Sequence, residues 1–89
     1  MGQLRVTPEQ LRARAAEYRN QAEEVNGVIA KLDSLVSTLE SEWEGVSASK
    51  YSSQYSDLRP SFVSMRELIT ELASELDRQA VKFIEADTH

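Results

Sequence analysis

The sequence predicts an all-α fold, an antiparallel hairpin of two long helices joined by a short Trp-x-Gly turn. Apolar residues recur at alternating spacings of three and four along two long stretches, and the segment TPEQL begins the first stretch with a helix-start pattern. The tripeptide Trp43-Glu44-Gly45 lies between the stretches, near the middle of the 89-residue chain. A chain of this length builds one small core, so we predict a single domain with helix 1 at about residues 7–43, a turn at 44–47 and helix 2 at about 48–86.

Helix 1 is predicted to begin at Thr7, which is suited to cap it. Pro8 fits the first helical position, and Gln10 follows Thr7 at the spacing of a capping box. Gly27 interrupts the polar side and costs about 1 kcal/mol relative to alanine. The apolar row that we expect to face inward consists of Leu11, Ala15, Tyr18, Ala22, Val25, Ile29, Leu32, Val36, Leu39 and Trp43.

The turn explains why the largest apolar side chain lies beside acidic residues. Trp43 takes the last inward position of helix 1, and Gly45 supplies the left-handed backbone conformation that reverses the chain. We expect Ser47 to cap helix 2. Val46 and Tyr51 have the spacing of a hydrophobic staple.

Helix 2 continues the same apolar periodicity and contains one proline, Pro60. A proline inside a helix costs about 3 kcal/mol or more, but Pro60 falls opposite the apolar row, where water can satisfy the carbonyl of Ser56. We therefore predict a bend at residues 56–60 and no break. The inward row consists of Ala48, Tyr51, Tyr55, Leu58, Phe62, Met65, Ile69, Leu72, Leu76, Ala80 and Phe83.

Both helices carry apolar residues beyond the row needed to pair them with each other. Such a widened stripe suits a helix with more than one neighbour, so we predict a homodimer that forms a four-helix bundle. A heterodimer with a related chain, or a monomer with an exposed apolar edge, remains an alternative. The residues predicted for the dimer interface are Ala15, Ala22, Val28, Leu35, Leu68 and Ile69.

The composition excludes several classes of function. The net charge of −5 disfavours nucleic acid, and the chain has no cysteine and no apolar run of about 18 residues that could span a membrane. The N-terminal residues MGQLRVTPEQL contain no apolar segment, so we expect no Sec signal peptide. The single histidine, His89, is the last residue. Lys50 lies within the serine cluster at Ser-x-x-Lys spacing from Ser47, but a capping serine and a surface lysine explain both residues. We predict no enzyme activity, cofactor, metal or membrane association.

Four segments together resemble the WXG-100 (ESAT-6-like) family of type VII (ESX) secretion substrates. They are TPEQLRARAAEY, Trp43-Glu44-Gly45, YSDLRPSF with Pro60, and the C-terminal tail. The resemblance implies a dimeric four-helix bundle. It also implies export through a membrane complex whose FtsK/SpoIIIE-type ATPase reads the substrate.

The resemblance further implies an export signal in two parts. One is the turn, here Trp43 and Gly45, and the other is a Tyr-x-x-x-Asp/Glu motif on the tail. In this chain the tail has Phe83 and Asp87 at those positions, so phenylalanine replaces tyrosine. Phe83 also fits the end of the helix 2 row, which gives it a purely structural alternative.

We therefore expect a non-enzymatic protein that a type VII system secretes as a folded dimer. It can also act as a carrier or co-secretion partner of a larger effector. The alternative is an intracellular adaptor hairpin that stabilises a partner's helical domain without being exported. A membrane-active peptide is disfavoured because such helices carry a cationic polar face.

Overall fold

The computed structural model describes residues 6–43 and 45–87, and it shows two long helices packed as a hairpin. Helix α1 spans Pro8–Glu42 and helix α2 spans Val46–Asp87. The molecule is elongated, with extents of 68 × 25 × 16 Å. The described residues contain no strand, and the predicted all-α hairpin is confirmed. Glu44 and His89 lie outside the described residues.

The start of α1 is a complete capping box, as predicted. The backbone N–H of Gln10 donates to Thr7 Oγ1 at 3.1 Å, and the backbone N–H of Thr7 donates to Gln10 Oε1 at 2.9 Å. These two bonds satisfy donors that a helix N-terminus otherwise leaves unpaired. Pro8 occupies the first turn, where its missing N–H costs nothing.

Helix α2 begins at Val46, two residues before the predicted start at 48. Ser47 consequently lies inside the helix, and its prediction as a cap is wrong. The predicted hydrophobic staple between Val46 and Tyr51 is also wrong, because Val46 is 77% exposed. Gly45 accounts for the early start: its carbonyl already accepts the N–H of Ser49 at 3.4 Å, so the helix forms directly after the glycine.

Gly27 and Pro60, the two residues expected to disturb the helices, both lie inside continuous helices. Helix α1 passes through Gly27 and helix α2 passes through Pro60 without a break. Pro60 is exposed, so water can reach the carbonyl that the proline leaves unpaired. The bend at residues 56–60 stays a prediction.

The core is the seam between α1 and α2, and small side chains fill most of it. Its buried members are Ala15, Ala22, Ile29, Val36, Ala73 and Ala80. Three small residues, Ala15, Ala73 and Ala80, have no exposed surface at all, so the helix backbones approach closely there. Ala15 and Ala22 were predicted for the dimer interface, and that assignment is wrong because α2 of the same chain already covers them.

The inward row of α2 differs from the predicted one. Leu58, Met65 and Leu72 are 53%, 45% and 53% exposed. The next residues along the chain, Arg59, Arg66 and Ala73, face α1 in their place, although that row is less apolar. The apolar residues of α2 that line the seam, buried or half-buried, include Ala48, Tyr55, Phe62, Ile69, Ala73, Leu76 and Ala80.

Polar pairs between the helices line one side of the seam. Along one side of the seam, Arg19, Asn26, Asp33 and Glu40 of α1 recur every seven residues, and each bonds a side chain of α2. We call this side the polar edge. Its pairs are Arg19–Asp77, Asn26–Arg66, Asp33–Arg59 and Glu40–Ser52.

The polar edge also sets the register of the hairpin. In three of its pairs, Asn26–Arg66, Asp33–Arg59 and Glu40–Ser52, the two residue numbers add up to 92. A constant sum is what antiparallel helices with equal rise produce. Between residues 26 and 40, a residue of α1 therefore lies at about the height of the α2 residue that completes this sum.

Candidate functional site

The turn presents Trp43 differently from the predicted inward position. Trp43 is the C-cap of α1 with extended dihedral angles, φ −120° and ψ 116°, and its N–H donates to the carbonyl of Leu39 at 2.8 Å. Because the helix ends at Glu42, the indole departs from the inward row and stays 40% exposed. The ring packs beside Tyr51, with centroids 6.1 Å apart and an interplanar angle of 52°.

Gly45 has the positive φ that the sequence predicts, +112°. L-residues with a side chain rarely adopt this conformation, and it costs of order 1–3 kcal/mol when they do. A Cβ atom built on Gly45 meets no atom within 4 Å. The position therefore requires glycine for its backbone conformation and not for lack of space.

An open groove of about 510 Å³ lies between the turn and the start of α2. Its walls are formed by Glu40, Trp43, Gly45, Ala48, Ser49, Ser52 and Ser53. Ser52 Oγ donates to Glu40 Oε2 at 2.6 Å and so links the two helices at the base of the turn. An indole, a carboxylate and several hydroxyls make a surface suited to recognition by a protein. The groove contains no histidine or lysine that could activate a serine.

Beneath the turn, Asp33 holds the two helices together through two side chains of α2. Arg59 donates to both carboxylate oxygens at 2.9 Å, and Tyr55 Oη donates to Oδ1 at 2.6 Å. The Arg59 guanidinium, followed by the Tyr55 hydroxyl, lowers the pKa of Asp33 from 3.8 to about 2. The same carboxylate raises the pKa of Tyr55. Sequence reasoning placed Tyr55 in the apolar row and did not find its hydrogen bond.

The second predicted element, the tail, lies at the opposite end of the hairpin from the turn. Phe83 is 46% exposed on α2. From Val46, where α2 begins, a rise of about 1.5 Å per residue places Phe83 roughly 55 Å away. Asp87 belongs to the last turn of the helix, but its side chain lies outside the described residues. A single chain thus keeps Trp43 and Phe83 far apart.

A broad exposed apolar surface runs along the hairpin on the side opposite the polar edge. This apolar face consists of Val28, Leu35, Leu58, Met65, Leu68 and Leu72, each between 45% and 63% exposed. Three residues predicted for the dimer interface, Val28, Leu35 and Leu68, belong to it. A fourth, Ile69, is half-buried at the seam. Contiguous exposed apolar side chains of this kind mark interaction surfaces.

Two classes of site are missing from the part of the chain that the structure describes. No group of histidine, cysteine, aspartate and glutamate side chains within it could hold a metal ion. Neither described helix is long and apolar enough to cross a membrane. The features that stand out are therefore surfaces: the Trp43 groove, the tail and the apolar face.

These features define a class of small helical-hairpin proteins that present a Trp-x-Gly turn at one end. The family model described as "Proteins of 100 residues with WXG" matches residues 3–88, and the chain belongs to this WXG100 family. It is 40% identical to protein YukE of Bacillus subtilis over 79 residues, which covers 89% of this chain and 81% of YukE. The predicted family is confirmed, and with it a non-enzymatic protein.

Solved structures of two similar proteins have the same fold over nearly the whole length of this chain. EsxA of Geobacillus thermodenitrificans has a TM-score of 0.85 and 38% identity, covering 99% of this chain and 95% of that chain. The secreted protein EsxB of Bacillus anthracis has a TM-score of 0.87 and 25% identity, covering 98% and 99%. A more distant relative is the type VII secretion system extracellular protein A of Staphylococcus aureus, 23% identical over 98% of this chain and 90% of its own.

Proposed function

We propose that this chain is a substrate of a type VII secretion system and leaves the cell as a folded helical dimer. The exposure of Trp43 is the observation that carries the proposal. The aliphatic residues of its row on α1 are buried or half-buried, whereas the two aromatic residues, Tyr18 and Trp43, are each 40% exposed, and only Trp43 lies at the turn. A purely structural tryptophan is usually hidden more completely. The names of the Staphylococcus aureus and Bacillus anthracis relatives support export.

The apolar face supports the dimer. Complete burial of a Leu, Val or Met side chain contributes about 1.5–3 kcal/mol, and the six residues of this face are about half exposed in the single chain. Covering them gains a large share of the stability that a two-helix chain of this size lacks. We propose a homodimer, with a heterodimer of related hairpins as the alternative.

A head-to-tail dimer would also unite the two parts of the export signal. Trp43 and Phe83 lie at opposite ends of one hairpin, so reversing the second copy brings its Phe83 and Asp87 toward the Trp43 groove of the first. In this proposal a secretion ATPase of the FtsK/SpoIIIE type reads the combined surface. A larger effector that is carried along would contact the remaining helix surface.

Substitution of Trp43 tests whether the turn is read by the secretion machinery. We expect Trp43→Ala to remove the protein from the culture medium while its helical circular dichroism and solution mass stay unchanged. Tyr18→Ala is the matched control, because Tyr18 is equally exposed at 40% and lies near the other end of α1. Export of both variants at the wild-type level would contradict recognition through the turn. Loss of helicity in Trp43→Ala would assign the indole a structural role instead.

A further inference from the structure

Gly27 lies inside α1 although neither its packing nor its backbone requires a glycine. A Cβ atom built on it meets no atom within 4 Å, and it has an ordinary helical conformation. A glycine inside a helix is unfavourable relative to alanine, so the chain keeps a residue there that weakens α1. What sets the position apart is its neighbour, because Gly27 directly follows Asn26.

An Asn-Gly pair carries the chemistry of spontaneous deamidation. The backbone nitrogen of Gly27 attacks Cγ of Asn26 and closes a cyclic imide, and the side-chain nitrogen leaves as ammonia with the proton of the Gly27 N–H. Water then opens the ring at either of its carbonyls, which yields aspartate or isoaspartate. Glycine has no side chain to hinder the attack. Asn20, the other asparagine of the chain, is followed by Gln21, whose side chain does hinder it.

Helix α1 holds the Asn26–Gly27 pair in a conformation that does not react. The α-helical pattern pairs the N–H of Gly27 with the carbonyl of Glu23 and fixes the backbone of Asn26 at helical dihedral angles. The attack requires the Gly27 nitrogen to leave that hydrogen bond and to approach the side chain of Asn26. Ring closure therefore waits until this part of α1 opens.

Arg66 of α2 is placed to stabilise the aspartate product. Its Nη1 donates to Asn26 Oδ1 at 2.7 Å across the polar edge. Once the amide has become a carboxylate, the same atoms form a charge-assisted hydrogen bond, which is stronger than a bond to a neutral amide. Asp33 and Arg59, one heptad further along the polar edge, already form such a pair at 2.9 Å.

We propose that Asn26 is a modification site, at which the chain deamidates through Gly27 when α1 opens, and that the refolded hairpin holds the aspartate product as an ion pair with Arg66. The site thereby records unfolding, because a hairpin that stays folded keeps its asparagine. The inference rests on the fold alone and stands whether or not the chain is exported.

The isoaspartate product has the opposite effect on the fold. Its main chain runs through the former side chain, so α1 gains an extra backbone atom at position 26. The polar edge needs both halves of α1 in one register, with Arg19 bonded to Asp77 on one side of Asn26 and Asp33 bonded to Arg59 on the other. An unfolded chain that forms isoaspartate therefore loses the ability to rebuild the hairpin.

Peptide mapping by mass spectrometry tests the site and its dependence on unfolding. The purified full-length chain is incubated at mildly alkaline pH in buffer and in a guanidinium chloride concentration that unfolds it, and the conversion of each asparagine is followed with time. We expect Asn26 to convert at least about tenfold faster in the denaturant. Asn20 is the internal control and should stay unchanged in both. A peptide of residues 22–31 in both solvents corrects for any effect of the denaturant on the chemistry itself.

Gly27→Ala separates the chemistry from the stability of the helix. No helix remains in the denaturant, so a several-fold slower conversion of this variant there reflects only the methyl group beside the attacking nitrogen. Persistence of Asn26 in the unfolded wild type, or equal rates for Gly27→Ala and the wild type in denaturant, overturns the site. Equal rates for the wild type in buffer and in denaturant overturn the protection by α1.

Asn26→Asp reproduces the aspartate product and tests the role of Arg66. At neutral pH and one chain concentration, we expect it to raise Tm in the otherwise wild-type chain but not in an Arg66→Ala chain. An equal change of Tm in both backgrounds overturns the ion pair. Chains recovered from denaturant with isoaspartate at position 26 should fail to regain the helical circular dichroism of the wild type, and full recovery would overturn the loss of refolding.

Discussion

Two glycines of this chain should respond in opposite directions to the same substitution. Gly27 lies inside α1 with open space at its Cβ position, and Gly45 has φ +112° with open space as well. Neither substitution creates a clash, so the backbone conformation alone decides the outcome. Gly27→Ala should raise the free energy of unfolding by about 0.8–1 kcal/mol, because alanine has a higher helix propensity. Gly45→Ala should lower it by about 1–3 kcal/mol, because the required φ is strained for an L-residue.

Thermal and urea unfolding followed by far-UV circular dichroism measure both effects. A change of 1 kcal/mol corresponds to a shift of about 4–8 °C in Tm for a domain of this size. All proteins are compared at one chain concentration, because association makes Tm depend on concentration. A D-alanine at position 45, introduced by peptide ligation, supplies the control: it has the same methyl group but favours positive φ, and should restore stability. If the two Gly→Ala variants shift Tm in the same direction, the assignment of Gly45 to backbone conformation is refuted.

Two further predictions concern the seam and the polar edge. Ala73→Leu and Ala80→Leu should each lower the free energy of unfolding by about 1–3 kcal/mol, because both residues have no exposed surface and the seam must open to admit the larger side chain. In the same urea titrations the exposed Ala30→Leu should change it by less than about 0.5 kcal/mol, and equal effects at buried and exposed positions would disprove the close approach of the helices. The lowered pKa of Asp33 means that its stabilisation is complete above its ordinary value of 3.8 and is lost as the pH falls toward about 2. The Tm difference between the wild type and Asp33→Asn should therefore be constant at neutral pH and shrink across that acid range, and a difference independent of pH would contradict the Arg59 and Tyr55 contacts.

Much of the fold was predictable because it depends on short-range patterns. The capping box of Thr7 and Gln10, the positive φ of Gly45 and the inward row of α1 follow from local spacing. The inward row of α2 could not be chosen in the same way. Leu58, Met65 and Leu72 form a more apolar row than Arg59, Arg66 and Ala73, yet the second row faces α1, where both arginines bond to it.

The turn was predictable in composition but not in detail. Spacing placed Trp43 in the seam, whereas the helix ends one residue earlier and its extended cap leaves the ring half exposed. The end of a helix depends on which residue first leaves helical dihedral angles, and neighbouring residues differ little in that preference. Ala15 and Ala22 were predicted for the dimer interface but lie in the seam within the chain, and local sequence could not distinguish these two places either. Small apolar residues suit any close helix contact, within a chain or between chains.

Export is measured most directly by quantifying the protein in culture medium from cells with and without the type VII secretion ATPase, beside a cytoplasmic marker that reports lysis. If the chain is a type VII substrate, we expect it to accumulate in the medium only when the ATPase is present. We expect Trp43→Ala to stay inside the cells as a folded protein. Equal amounts in the medium of both strains, or retention of the wild type in both, would contradict it and favour an adaptor that acts within the cell.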